Sequence, residues 1–475
     1  MKTKTILLSV AISLATAFSV QAAPKAHELK FTISGLKNTI IFLGCHYGDK
    51  DYIQDTAKID EKGSFEFSGD KELPGGVYFI MLKSKNKYFE FIIDKDQHFS
   101  MSADTVDFIK SMKVTGSDEN KLFYEYLNYV TQKHNEDTTL ERMAKSGPDK
   151  DGAKVKLDTL NEQVRRYKVG FIKKHSDMLL SKVFNAAEEP IIPPTPMLAN
   201  GKKDSTFAYR YYKTHFFDNV DFTDGRLVRS PILYPKIKQY LERLTVQDPD
   251  SIIVAADYLV TKAGTDKDMF KFIVAYITST YESSNIMGMD AVFVHMAKKY
   301  YTAEQAPWVT SSQLVKIQDR ATQLDPILIG KKAPSLVMPD TNNIMQAFDS
   351  IKTDYVLLYF WDYDCGHCQK ETPILIKWYD SIKTVESVQV YAVQTNEGST
   401  AKWKDYIKAH KLDWMNVMDI YHTSNFRHDY DVLTTPMMYL LDENKKIIAK
   451  KINVEDLDKV LKHFKEAKEK QKKGQ

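Results

Sequence analysis

The stretch FWDYDCGHCQKETP, Phe360 to Pro373, decides the reading of this chain, because it sets two thiols, Cys365 and Cys368, on either side of Gly366 and His367. It overlaps a continuous apolar run, YVLLYFW, suited to a central strand, and leads into CQKETPILIKWYDSIK, whose apolar spacing is helical. A strand followed by Cys-x-x-Cys at a helix start places the first thiol beside unpaired backbone N–H groups and the positive end of the helix dipole. Both favour a thiolate. His367 adds positive charge when protonated, whereas the Asp364 carboxylate adjoining Cys365 disfavours a second negative charge.

Paired thiols have other uses. Structural zinc takes four ligands, commonly from two Cys or Cys/His pairs, and this chain offers no second pair among its scattered 12 histidines, so no metal is expected. Haem attachment needs histidine directly after the second cysteine, where Gln369 stands. The remaining cysteine, Cys45 in the strand-like IIFLGCHY, reads as a small buried apolar residue. With 3 cysteines in all, the fold must rest on apolar burial, which 43% hydrophobic residues can supply.

Working outward, VQVYAVQT reads as a strand, TAKWKDYIKAH as a helix, SNFRHDY as a turn or short helix, and PMMYLLD with KIIAKKI as a hairpin joined by ENK. A closing helix starts at VEDLDKVLKHF. This order predicts an α/β layered domain with a mixed sheet over residues 326–475. Upstream, helical periodicity begins at GSDENKLFYEYLNYV, with Ser117 or Asp118 as cap, and continues to about Leu324, which predicts a central α-helical domain over 116–325. Within it Asp290 is expected to cap DAVFVHMAKKYY, and EEPIIPPTPM, Glu188 to Met197, reads as an extended loop. Residues 23–115 carry short β-rich runs, such as LKFTISG, GSFEFSG and GVYFIMLK, between glycine and aspartate turns. They predict an all-β sandwich or barrel.

Met1 to Ala22 reads as a cleaved signal peptide, with Lys2 and Lys4 ahead of the apolar run Ile6 to Val20 and small residues before the cut. That run is shorter than the roughly 20 residues a membrane span needs, so no stable membrane insertion is expected. Lysine and arginine total 66 against 63 acidic residues, a balance of +3 that argues against nucleic acid as a partner. A periplasmic, disulfide-permissive location follows from the signal peptide.

The motif resembles the active-site stretch of the thioredoxin superfamily, in which the Cys-Gly-His-Cys tetrad also occurs in protein disulfide isomerases. Trp361, four before the first cysteine, and Pro373, five after the second, match that pattern. Pro436 in VLTTPMMYLLD matches the family's cis-proline, which with Thr435 faces the active site and offers backbone groups to an extended substrate. The sequence is more particularly similar to exported thiol reductases of the TlpA and ResA kind. IGKKAPSLVMPDTNN matches the segment before their first strand, and Glu371 their glutamate three after the second cysteine. Tyr359 departs from thioredoxin, which has a buried, proton-managing aspartate there, so Glu371 is the candidate for that work. The front regions resemble uncharacterised β and helical domains that precede such domains in bacterial envelope proteins.

The resemblance implies an exported thiol–disulfide oxidoreductase that reduces, or isomerises, disulfides of envelope proteins. Cys365 attacks and Cys368 resolves; Gly366, His367, Asp364 and Trp361 tune the couple. No cofactor is implied, and a membrane thiol protein is the implied electron donor. Two alternatives stand beside it. One is an envelope binding protein that keeps the thioredoxin fold as a docking module. The other is a thiol peroxidase, whose Thr-x-x-Cys motif is replaced here by WDYDC.

Overall fold

The computed structural model describes residues 25–82, 87–146, 150–396 and 398–472, and the signal peptide expected at Met1 to Ala22 lies outside them. The described residues fall into two compact units. One runs to Glu188 and includes Arg226–Ile232; the other comprises Glu189–Gly225 and Leu233 onward.

In the first unit, strand burial alternates as a half-buried sheet requires: along β1 (His27–Ser34), Leu29, Phe31 and Ile33 point inward while Lys30 and Thr32 are exposed. With β2 (Ile40–Tyr47), β3 (Lys50–Lys58), β4 (Ser64–Gly69), β5 (Gly76–Leu82), β6 (Lys87–Ile93), β7 (His98–Asp104) and β8 (Lys113–Thr115), it builds two four-stranded sheets. Their orders are β4-β1-β7-β8 and β3-β2-β5-β6. Leu29, Phe31 and Phe99 of the first sheet share one core with Ile41, Tyr78 and Phe91 of the second, so the β region is a sandwich. Cys45 is buried within that core, as its sequence context suggests.

The helix Asp118–Ser146 follows, its first turn held by Ser117 Oγ, which accepts from the Asn120 N–H. Buried Asn120 bonds both the N–H and the carbonyl of Ile92, locking the helix to β6. Helices Lys150–Lys174 and Leu179–Ala187 come next, and the segment Arg226–Ile232 also belongs to the unit.

The second unit holds the helices from Phe207–His215 to Ser311–Leu324 together with the C-terminal sheet. Residue Asp290 differs from expectation: it is the first helical residue of Asp290–Tyr300 and no side chain caps that end. Its carboxylate instead pairs with Lys450, a buried ammonium that needs a counter-charge. After a short hairpin of β9 (Val337–Pro339) and β10 (Met345–Ala347) come β11 (Tyr355–Trp361), β12 (Val388–Gln394), β13 (Met415–Met418), β14 (Met437–Leu441) and β15 (Ile447–Lys450). The sheet order is β13-β12-β11-β14-β15. The first three strands are parallel and the last two antiparallel, which is the predicted mixed sheet.

Every residue of β11 is buried, as befits a central strand covered on both faces. Leu357, Tyr359 and Trp361 meet Leu375 and Trp378 of the helix Gly366–Ile382, with Trp403, Leu457 and Leu461 beside them. Val356, Leu358 and Phe360 face the other way, into a core that contains Phe293, Val294 and Ala297 of the helix Asp290–Tyr300 and Ala321 and Leu324 of Ser311–Leu324. The central helices thus supply part of the sheet's second cover. Among the described residues no helix is long and apolar enough to cross a membrane.

Candidate active site

β11 delivers Trp361 to the end of the sheet, and the chain turns through Asp362 to Asp364 before entering the helix Gly366–Ile382. Cys365 is the N-cap residue of that helix, as the motif predicts, with extended backbone (φ −82°, ψ 120°). Cys365 is partly exposed, Cys368 is buried one turn on, and both thiols are free. The Cys365 Sγ lies 3.5 Å from the Thr435 carbonyl, and the Thr435–Pro436 peptide is cis. The fold therefore brings together Cys365, Cys368, Thr435 and Pro436, residues far apart in sequence.

The two thiols have opposite environments. At Cys365 partial burial raises the pKa, but hydrogen bonds from the Cys368 N–H, the Thr435 side chain, the Cys368 thiol and the His367 N–H outweigh it and hold the thiol below its ordinary value. At Cys368 burial dominates and pushes the thiol up to about 12, against the opposing Asp362 N–H, which lies 3.4 Å from its sulfur.

The other predicted residues surround this pair unequally. Gly366 and His367 are exposed, and a Cβ on Gly366 would meet nothing within 4 Å, so the approach to Cys365 is open. Asp364 is exposed, its N–H given to Asp362 Oδ1 at 2.9 Å. Trp361 is fully buried beneath the motif, stacked on Tyr359 at 6.0 Å. Glu371 is partly buried, and its Oε2 is buried without a hydrogen-bond partner.

Spacing did not reveal two further features. Tyr359, at the position of thioredoxin's aspartate, shares a hydrogen bond with Thr372 (3.0 Å) in the buried layer beside Cys368. Burial drives its phenol far up, and the charges of Cys368 and Glu371 add to that. Asp362 accepts from the amides of Gln394 (3.3 Å) and Asn396 (3.3 Å), tying the motif to the end of β12. The Thr372 signal was present in sequence, one helical turn after Cys368, but only the fold supplies its partner.

A strand, a Cys-x-x-Cys turn and a helix on this mixed sheet, opposite a cis-proline, define a thioredoxin-like domain. Residues 329–450 match the AhpC/TSA family; residues 174–325 and 28–123 match, respectively, the domain of unknown function DUF5106 and the domain of unknown function DUF4369. The C-terminal domain is similar to the thiol-disulfide oxidoreductase ResA of Bacillus thuringiensis, with 28% identity over 27% of this chain and 71% of that one. It is also similar to the sporulation thiol-disulfide oxidoreductase A of Bacillus subtilis, with 31% identity over 21% and 61%. A solved domain of a possible thiol-disulfide isomerase from Cytophaga hutchinsonii is 38% identical, covering 30% of this chain and 98% of that one at a TM-score of 0.29. The C-terminal domain is thus a thioredoxin-like domain with thiol–disulfide oxidoreductases as homologues.

Proposed function

We propose that the protein is an exported thiol–disulfide oxidoreductase that reduces disulfides in cell-envelope proteins. The observation that carries this reading is the unequal thiol pair: an accessible, acidified Cys365 in front of a buried, basic Cys368, opposite the Thr435–Pro436 segment.

The Cys365 thiolate attacks one sulfur of a substrate disulfide, forms a mixed disulfide with it, and releases the other substrate sulfur as a thiolate that takes up a proton. Cys368 then loses its proton and attacks the Cys365 sulfur. This forms the Cys365–Cys368 disulfide and releases the second substrate thiolate. Two electrons pass from the dithiol to the substrate, and a membrane thiol protein returns them. No cofactor is needed. Because burial raises the Cys368 pKa, the resolving step needs a base, and Glu371, with its unpartnered buried oxygen, is the residue assigned to it. Gly366, His367, Asp364 and Trp361 set the potential. The backbone at Thr435 and Pro436 receives an extended polypeptide, and Leu433, largely exposed on the same loop, offers it apolar surface.

Insulin reduction tests this. Cys365→Ala should abolish turnover, and Cys368→Ala should accumulate mixed disulfides whose partners, trapped in cells, are envelope proteins. Peroxide consumption without insulin reduction would replace the reading with a peroxidase. Full biological activity of Cys365→Ala would replace it with a docking module.

A further inference from the structure

The loop that ends at cis-Pro436 is anchored by more than its own sheet. Asp431, five residues before the proline, is fully buried and has φ 50°, a left-handed conformation that Asp and Asn tolerate better than most residues. Its two carboxylate oxygens receive the two ends of the Arg320 guanidinium, at 2.5 and 3.0 Å, and Lys451 Nζ approaches at 3.1 Å. Arg320 lies on the helix Ser311–Leu324, outside the segment 329–450 that matches the AhpC/TSA family. One turn further along that helix, Gln323 accepts from Arg320 Nη1 (2.8 Å) and donates to the His428 carbonyl (2.9 Å).

From Asp431 the constraint passes along the backbone. The Asp431 carbonyl accepts from the Leu433 N–H at 3.0 Å, and the Val432 N–H goes to the Arg427 carbonyl at 2.9 Å. The segment then presents Thr435 to the Cys365 sulfur: its carbonyl accepts from the thiol at 3.5 Å, and its side chain supplies a hydrogen bond that lowers the thiol's pKa. A forked guanidinium–carboxylate pair fixes orientation as well as distance, and a buried carboxylate that loses its partner cannot stay where it is without penalty.

We infer that Arg320 is a positioning residue for the thiol chemistry: by clamping Asp431 it holds the Thr435–Pro436 segment against Cys365, which makes the helix Ser311–Leu324 a working part of the redox site. This rests on the oxidoreductase reading above, but its central measurement does not require turnover.

The test uses the full chain carrying Arg320→Gln, which removes the charge and the fork. Circular dichroism should report a folded protein, and the pH titration of Cys365 should move up by about half a unit or more as the Thr435 side chain, whose hydrogen bond lowers that thiol's pKa, is drawn away. The KM for insulin should rise about tenfold, while reduction of a small disulfide, which makes little use of the loop, changes much less. Arg320→Lys, which keeps the charge but not the fork, should fall between the two and carries the same readouts if Arg320→Gln does not fold. A folded variant with an unchanged Cys365 titration overturns the inference. If wild-type protein reduces no insulin, the functional reading fails, and the titration still decides the role of Arg320.

Discussion

Burial pushes the Cys368 thiol up to about 12, while at Cys365 the same effect is outweighed by hydrogen bonds that favour the thiolate. The nucleophile of a disulfide exchange is the thiolate, so the fraction of Cys365 ready to react at neutral pH exceeds that of an ordinary cysteine, and that of Cys368 is negligible. The sign follows directly: raising pH deprotonates Cys365 first. Alkylation of the reduced protein with iodoacetamide, mapped by mass spectrometry across pH, should label Cys365 with a midpoint below that of an ordinary cysteine measured alongside and leave Cys368 unmodified. Labelling of Cys368 first, or a Cys365 midpoint above that value, would remove Cys365 as the attacking thiol. The order of the two residues at a helix start was legible in sequence. The family resemblance placed Thr435 at the site, but the hydrogen bond by which its side chain acidifies the first thiol was not legible, because 70 residues separate the partners.

At the scale of elements, pattern succeeds where burial is one-sided or complete. β11 reads as seven apolar residues and is buried at all seven positions. β3 escapes the same reasoning, because KDYIQDTAK lies on the edge of its sheet with almost every residue exposed, and no alternation marks a strand whose two faces both meet solvent. The helix Ser311–Leu324, which carries Arg320, is closed at its start by a capping box: Thr310 Oγ1 accepts from the Gln313 N–H and Gln313 Oε1 accepts from the Thr310 N–H. Thr310→Ala should lower stability by about 1 kcal/mol, read as a lower urea midpoint at unchanged slope, while the midpoint for Cys365 alkylation stays put because the cap is distant from Arg320 along the helix. An unchanged urea midpoint would show that the cap contributes nothing to this helix.

At the scale of the molecule, the C-terminal sheet does not cover itself. Phe293, Val294, Ala297, Ala321 and Leu324 come from helices upstream of residue 326 and pack on the face of β11 that Val356, Leu358 and Phe360 present. Each large side chain so buried contributes about 1.5–3 kcal/mol. A fragment spanning residues 326–475 should therefore melt about 10 °C or more below the same domain in the full chain and bind a hydrophobic dye that the full chain does not. Equal melting temperatures would mean that the helices merely rest against the sheet.

The sequence alone determined the local chemistry: two thiols at a strand-to-helix junction, a proline before a later strand, and periodicities that separate a β region, a run of helices and an α/β segment. Those features follow from neighbours within a few residues, where propensity and spacing act directly. The tertiary structure decided what each group faces. It set Thr435 against Cys365, turned Asp290 from the expected cap toward Lys450, grouped the helices from Phe207 onward with the C-terminal sheet, and paired Arg320 with Asp431. The physical reason is that the cost of burying an ion or exposing an apolar face is settled by whichever residue packs against it, and in each of these cases that residue lies at least about 70 positions away.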